Sequence, residues 1–532
     1  MSRTAKRASA VSMVTLGSRV LGLVRDAVMF RVLGASWVAG AFWLAWMIPN
    51  LLRRLFGEGA LSASFVPAYA AAVDRGGGKG QKTARSLLAS VTGLLLVGLS
   101  GITVVAWLGC LMLPPSLVGS GSGSNALAAG ATARQHGELF LELLAILFPY
   151  AIPICLVAVL AGALNCHGVF ALPAAAPIVL NLFWIAGLVA ALAMGMDSLP
   201  DVAVLVAWFL VAAGIAQLVL VALPLARRGH LALPRPVVTN QSKAILRGMA
   251  PTVVGMSVLQ ISALLDQGIA VYLIDPGANS YIVLANRLLL FPHALTSLAL
   301  ATVVFPDLAV LAARDKHVEL RHNLDRAAFQ TLCVALPASL GMMLVATPLI
   351  QVVFQHGRFD AADTYVSSWT TVCLVAALPA IGLAQLHARA LYALGDFRTP
   401  ARVAVWLLFL NLALNLVFVL VFDLGVPGLA FATTLCALVN AWALRQRFLD
   451  HCPETTTPAQ PLLRVVIATV LMGLLVYVAQ RLFDGDTLVQ QILLDLLLPV
   501  LVGTSTYAGL LRFLGVTRSS RTPGTGGRSG RS

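Results

Sequence analysis

Charge is what this chain has least of. Only 11% of its 532 residues are Asp, Glu, Lys or Arg, against 59% hydrophobic, and the mean hydropathy is +0.88. A water-soluble domain carries about 25% charged residues, so the polar side chains are too few to coat a soluble body of this size. Cysteine motifs are missing as well. Cys110, Cys155, Cys166, Cys333, Cys373, Cys436 and Cys452 are scattered through apolar stretches with no C-x-x-C pair, which argues against a zinc site or a disulfide framework and for small packing residues. No P-loop, H-E-x-x-H or G-x-S-x-G occurs, so no bound cofactor is expected. Any transport would then draw on an ion gradient, the membrane potential or the substrate itself.

What the chain has instead is long apolar runs. A helix needs about 20 residues to cross about 30 Å of hydrocarbon, and fourteen candidate spans meet or approach that length: 9–33, 37–70, 84–114, 134–163, 169–195, 201–226, 243–273, 278–312, 323–354, 364–394, 400–422, 426–447, 461–482 and 488–513. The predicted class is an all-α polytopic membrane protein. The basic N-terminus followed by an apolar run looks like a signal peptide, but Arg19, Arg25 and Asp26 interrupt the run and no A-x-A-like site follows, so a retained first helix is expected.

The net charge of +14 sits largely in alternate loops. Arg75, Lys79, Lys82 and Arg85 follow span two; Arg227, Arg228, Arg235, Lys243 and Arg247 lie around the loop after span six; Arg314, Lys316, Arg321 and Arg326 follow span eight. The stretch from Pro114 to Ala133 carries no charge at all. This alternation predicts cytoplasmic N- and C-termini and accounts for the basic balance without nucleic acid. The tail from Thr517 is Gly-, Ser- and Arg-rich and is expected to be disordered, touching anionic headgroups at most weakly.

The sequence also repeats. Pro149 and Pro379 are 230 residues apart, as are Asn181-Leu182 and Asn411-Leu412; Pro67 and Pro306 are 239 apart. A shift spanning six helices preserves topology and relates two halves about an axis along the membrane normal. The expected organisation is a first six-helix lobe over 1–235, a second over 236–450, a two-helix addition over 451–514 and a basic tail over 515–532, with the lobes flanking a central cavity.

Ionisable residues within spans are costly, roughly 2.5–3.5 kcal/mol each on insertion scales, and they crowd into the first two. Arg19 and Asp26 are seven apart and share a helix face with Gly22, while Ser18 and Arg25 form the neighbouring stripe. In the second span Pro49 is placed to kink the helix. Arg54 and Glu58 stand at i,i+4, which leaves Arg53 without an acid in its own helix. Arg287 lies mid-run in Ala285-Asn286-Arg287-Leu288. The arginines outnumber Asp26 and Glu58, and unpaired guanidinium groups in a bundle need water or an anion. Their planar forks suit phosphate. A hydrated cavity for a phosphorylated substrate follows.

Other residues point elsewhere. Asp266 is read as either a coupling-ion ligand or a helix-end carboxylate. Glu138 and Glu142 are read as interfacial, and His293 and His387 as packing histidines. Asp360-Ala361-Ala362-Asp363 has the form of a magnesium-binding D-x-x-D, but it is single and falls on the outer side.

At these positions the chain resembles the MurJ (MviN) family of lipid II flippases, within the multidrug/oligosaccharidyl-lipid/polysaccharide exporter superfamily. The matching stretches are Ser18-Arg19-Val20-Leu21-Gly22-Leu23-Val24-Arg25-Asp26, Ile48-Pro49-Asn50-Leu51-Leu52-Arg53-Arg54-Leu55-Phe56-Gly57-Glu58-Gly59-Ala60, Phe65-Val66-Pro67, Phe148-Pro149-Tyr150, Ala285-Asn286-Arg287-Leu288, His356-Gly357-Arg358-Phe359 and Asp396-Phe397-Arg398-Thr399-Pro400. The resemblance implies fourteen spans and a monomeric transporter of the inner membrane rather than an enzyme. It implies that Arg19, Arg25, Arg53 and Arg287 hold the diphosphate of lipid II, that Asn50 and Glu58 line the same cavity, and that the last two spans form a groove for the polyprenyl tail. Two departures stand out: Gly40 replaces a usual acid and Met47 a common Lys, so a pairing interaction is lost or rebuilt. The competing readings are a flippase for another lipid-linked oligosaccharide, a multidrug exporter, a polyprenyl-phosphate enzyme and a non-transporting scaffold. A cation exporter calls for an acidic cavity, and a polyprenyl-phosphate enzyme for paired Asp motifs.

Overall fold

The computed structural model describes residues 3–119, 126–293, 307–453, 462–483 and 487–515. Among them there are helices and connecting turns and no strand, as hydrocarbon requires of backbone that must satisfy its own hydrogen bonds. Ten of the helical stretches are long and apolar enough to cross a membrane. The fourteen expected spans are not all among these ten.

The chain divides into two compact units, Met1–Val283 with His356–Asp363, and Leu284–Gln355 with Thr364–Ser532. In the first, α1 (Arg3–Leu33) packs on α8 (Ala171–Ala193), and α8 on α9 (Leu199–Arg227). The second helix, α2 (Trp37–Leu52), starts from an N-cap where Ser36 Oγ accepts from the Ala39 N–H. It holds Pro49 and runs into a π-helical segment, Arg53–Ala60, before α3 (Leu61–Asp74). Proline removes one ladder hydrogen bond, and the wider π turn re-aims the side chains that follow. After α4 (Gly77–Met112) and the short α5 (Pro115–Val118), the fourth predicted span is broken: α6 (Ala126–Leu147) and α7 (Ala151–Cys166) meet at a 3₁₀ turn over Phe148–Tyr150.

The linker after α9 is not a free tether. Arg235 N–H donates to Ala89 O at 2.8 Å, Arg85 reaches Leu231 O, and Ser90 Oγ donates to Val237 O. A Cβ added at Gly93 would collide with the Arg235 backbone, so this strap lies directly on α4. It ends in a reciprocal cap: Thr239 Oγ1 accepts from Ser242 N–H, and Ser242 Oγ accepts from Thr239 N–H. The next helix, α10 (Asn240–Ile269), packs on α3 and on the Arg53–Ala60 segment, and continues as a π turn, Ala270–Ile274. Packing thus keeps the seventh predicted span with the first unit, whereas the repeat assigns it to the second half.

The second unit begins within α11 (Asn279–His293). Beyond the undescribed stretch that contains Pro306, α12 (His317–Phe354) packs on α14 (Leu378–Ala393), and α15 (Arg398–Leu420) on α16 (Gly425–His451). The tenth predicted span is again two helices, α13 (Ala361–Val375) and α14, separated next to Pro379. The breaks at Pro149 and Pro379 therefore fall 230 residues apart, as the repeat expects. The last pair, α17 (Leu462–Leu482) and α18 (Leu498–Phe513), pack together, and α17 leans on α12, where Gly473 lets Leu340 in.

Candidate substrate site

In the first unit the site is built on α1, α2 and α8. Arg25 and Asp26 are both buried, and Arg25 Nε donates to Asp26 Oδ1 at 2.9 Å. Arg25 Nη1 donates to Asn181 Oδ1 at 3.0 Å, and Asn181 Nδ2 donates to the Ser18 carbonyl at 3.1 Å. The guanidinium carbon lies 4.4 Å from the centre of the Trp184 ring. Trp184 is itself enclosed by Phe42, Trp43 and Trp46 of α2, with ring centroids 5.2–5.7 Å away. A desolvated cation over an indole is stabilised by about 2 kcal/mol. One carboxamide and one indole thus tie α8 to α1.

Arg25 is therefore not one of the unpaired guanidinium groups expected in the spans. Its partner is the adjacent residue, Asp26, and the pair is buried at 6% and 1% exposure. Arg19, read as sharing a face with Asp26, is exposed. Asn181 stood out in the sequence only as a repeat marker, and Trp184 did not stand out at all. Polar residues inside an apolar run were the available signal for the first. The counterpart of Asn181, Asn411 on α15, also sits in a polar contact: Asn415 Nδ2 donates to its Oδ1 at 3.2 Å.

Arg53 and Asn50 come together at the start of the π segment, where Arg53 Nε donates to Asn50 Oδ1 at 2.8 Å. A carboxamide orients a guanidinium without cancelling its charge. Arg54 is exposed and reaches Gln260 on α10 at 3.3 Å. The side chain of Glu58 lies outside the described residues, and with it the expected Arg54 pairing. Arg287 belongs to the second unit, half-buried on α11 between buried Ala285 and Leu288.

Gly40 has a physical reason. A Cβ added there would collide with the Pro276 carbonyl oxygen, and Asn279 Nδ2 donates to the Gly40 carbonyl at 3.0 Å. An acidic side chain does not fit where the 275–279 turn presses on α2, and the polar contact comes from Asn279 instead.

The remaining candidates find structural places. Asp360 and Asp363 form a capping box at the start of α13: Asp363 N–H donates to Asp360 Oδ1 at 2.9 Å and Asp360 N–H to Asp363 Oδ2 at 3.1 Å, while Tyr281 OH donates to Asp363 Oδ1 at 2.7 Å. That use of D-x-x-D is helix initiation. Glu138 pairs with exposed Arg134 at 2.8 Å, and Glu142 is exposed. Buried His387 bonds the Leu383 carbonyl at 2.7 Å, and His293 lies 3.4 Å from Gln385 Nε2, as packing histidines should. Asp266 is half-buried in the last turn of α10. Among the described residues no group of three His, Cys, Asp or Glu could hold a metal ion.

Comparison with known proteins agrees across most of the chain. A family profile described as lipid II flippase MurJ matches residues 29–498. A probable lipid II flippase MurJ of Haemophilus influenzae is 32% identical over 473 residues, covering 87% of this chain and 90% of the relative. The lipid II flippase MurJ of Burkholderia cenocepacia is 32% identical over 447 residues, covering 82% and 81%. A solved lipid II flippase MurJ in an inward closed conformation superposes with a TM-score of 0.75 at 24% identity, over 96% of this chain and 99% of that one. An inward-facing multidrug resistance MATE family transporter of the MOP superfamily shares the fold at a TM-score of 0.66 and 14% identity, over 84% and 99%.

Proposed function

The chain belongs to the lipid II flippase MurJ family, and from that premise we propose that it carries lipid II, the undecaprenyl-diphosphate-linked disaccharide-peptide, from the cytoplasmic to the periplasmic leaflet of the bacterial inner membrane. It is a polytopic membrane transporter and not an enzyme. The observation that carries the reading is the family match over residues 29–498, together with the arginines on α1, in the Arg53–Ala60 segment and on α11.

Arg19, Arg53 and Arg287 bind the diphosphate, with Asn50 aiming Arg53. Arg25, Asp26, Asn181 and the Ser18 backbone hold α1 against α8, so that Arg25 presents its charge from a fixed position. Glu58 completes the polar face. The two halves of the repeat alternate access to that site, α17 and α18 accept the polyprenyl tail, and both termini lie in the cytoplasm. A monomer suffices, driven by the membrane potential or a coupling ion.

The test is complementation. Cells depleted of their own lipid II flippase should recover growth and outer-leaflet lipid II when this chain is expressed. A membrane-inserted, well-expressed chain that restores neither would remove the assignment and leave the fold.

A further inference from the structure

Away from the arginine face, α8 and α9 leave a groove of about 620 Å³ between them. It is walled by Leu172, Val179, Val219 and Leu223 and ends at Arg227 and Arg228. The volume falls in the range of ligand pockets, about 300–1,000 Å³. We propose that this groove binds one anionic phospholipid of the cytoplasmic leaflet, with an acyl chain along the apolar wall and its phosphate on the two arginines.

Three observations carry this. The wall belongs to two membrane-spanning helices, and Val219 and Leu223 are 54% and 45% exposed, so what lies against them comes from the bilayer. Arg227 and Arg228 stand at the end of α9 that the basic-loop pattern places in the cytoplasm, where the leaflet is anionic. Both are exposed, and among the described residues neither has a carboxylate within ion-pair distance.

The helix pair α15–α16, which the repeat sets in correspondence with α8–α9, supplies an internal comparison. Its groove is smaller, about 390 Å³, and two of its three basic residues already have acids: Arg447 lies 3.4 Å from Asp450, and His451 lies 4.0 Å from Asp396, which leaves Arg402 alone among the described residues. The first groove therefore offers two adjacent guanidinium groups with no acid beside them among the described residues, whereas the second carries its own carboxylate, Asp450, in its lining. The fork of each free guanidinium suits a phosphodiester, and an apolar wall beside it selects a lipid over free phosphate.

The experiment uses the full-length protein, purified from vesicles of phosphatidylcholine with a minor fraction of phosphatidylglycerol, and counts retained lipids by native mass spectrometry. Arg227→Gln/Arg228→Gln should weaken retention of phosphatidylglycerol about twenty- to thirtyfold, since each basic residue near an anionic surface contributes about a fivefold factor. Val219→Trp should reduce it with both arginines present, because it fills the wall. Arg402→Gln/Arg447→Gln should leave it unchanged, and inorganic phosphate should not displace it. Retention that is indifferent to both groove variants overturns the proposal. So does equal retention of phosphatidylcholine, displacement by phosphate, or an equal loss from the α15–α16 variant.

Discussion

The guanidinium of Arg25 lies 4.4 Å from the ring centre of Trp184, with Asp26 as its ion-pair partner and both charges buried. Removing one member of a buried pair leaves the other uncompensated and costs roughly 3–5 kcal/mol. Arg25→Ala should therefore lower the amount of folded protein in the membrane as well as transport. Arg25→Lys, which keeps the charge but loses the fork, should recover abundance better than activity. Immunoblots of membrane fractions beside a lipid II translocation assay decide it. Wild-type abundance of Arg25→Ala would mean that the pair is not structural.

Arg53 and Arg287 should behave differently. Each is half-buried, and Arg53 donates to the neutral Asn50. Ala at either position should insert normally and lose transport, and Lys should restore it in part. Asn50→Ala should weaken transport less than Arg53→Ala, because it disorients the guanidinium without deleting it. If both Ala variants vanish from the membrane, these arginines are structural.

At Gly40, restoring the acid usual in the family should destroy function rather than improve it. The added side chain would meet the Pro276 carbonyl, and a backbone collision between packed turns has no cheap relief. Complementation by Gly40→Asp at wild-type expression would show that the 275–279 turn is free to move aside.

The rings of His167 and His230 stack with centroids 4.0 Å apart, His167 Nε2 lies 3.2 Å from Tyr69 OH, and Gln81 Nε2 lies 3.4 Å from His230 Nδ1. Burial holds the His167 pKa below its ordinary value, and His230 and Arg228 push it the same way. The folded state thus binds its proton less readily than the unfolded chain. The contribution is complete above about pH 6.5 and is lost as the pH falls below it. Melting of the detergent-solubilised protein should drop between pH 7.5 and 5.5, and His167→Gln should flatten that dependence. An unchanged slope in His167→Gln would place the sensitivity elsewhere.

Asp360→Ala should remove one cap bond from α13 at a cost of about 1 kcal/mol, lowering the melting temperature slightly. Added magnesium should neither rescue the variant nor stabilise the wild type, as it would if the two carboxylates held a metal.

Much of this could be read along the chain, because length and apolarity are local properties. The helices, the proline breaks at Pro149 and Pro379 and the concentration of arginine on α1 and in the Arg53–Ala60 segment all have their causes within a few residues. What escaped depends on residues far apart in sequence. Asn181 and Trp184 reach Arg25 across more than 150 positions, and no helical periodicity encodes that meeting. The reason for Gly40 lies in a turn some 240 residues later. Arg25 and Asp26 point away from each other on an ideal helical wheel, yet a long, flexible Arg side chain can turn back on its neighbour when the alternative is apolar surroundings.

The strap over α4 makes one peptide connection nearly redundant. Arg85 and Ser90 donate to the Leu231 and Val237 carbonyls and the Arg235 N–H donates to the Ala89 carbonyl, which holds residues 231–237 against α4, and α10 stays packed on α3 beyond it. A chain opened between Leu233 and Pro234 would keep its neighbours without the covalent tie. Two separately synthesised pieces, 1–233 and 234–532, have the contacts to find each other in the bilayer and rebuild the same first unit, so this junction is a natural seam for a split transporter.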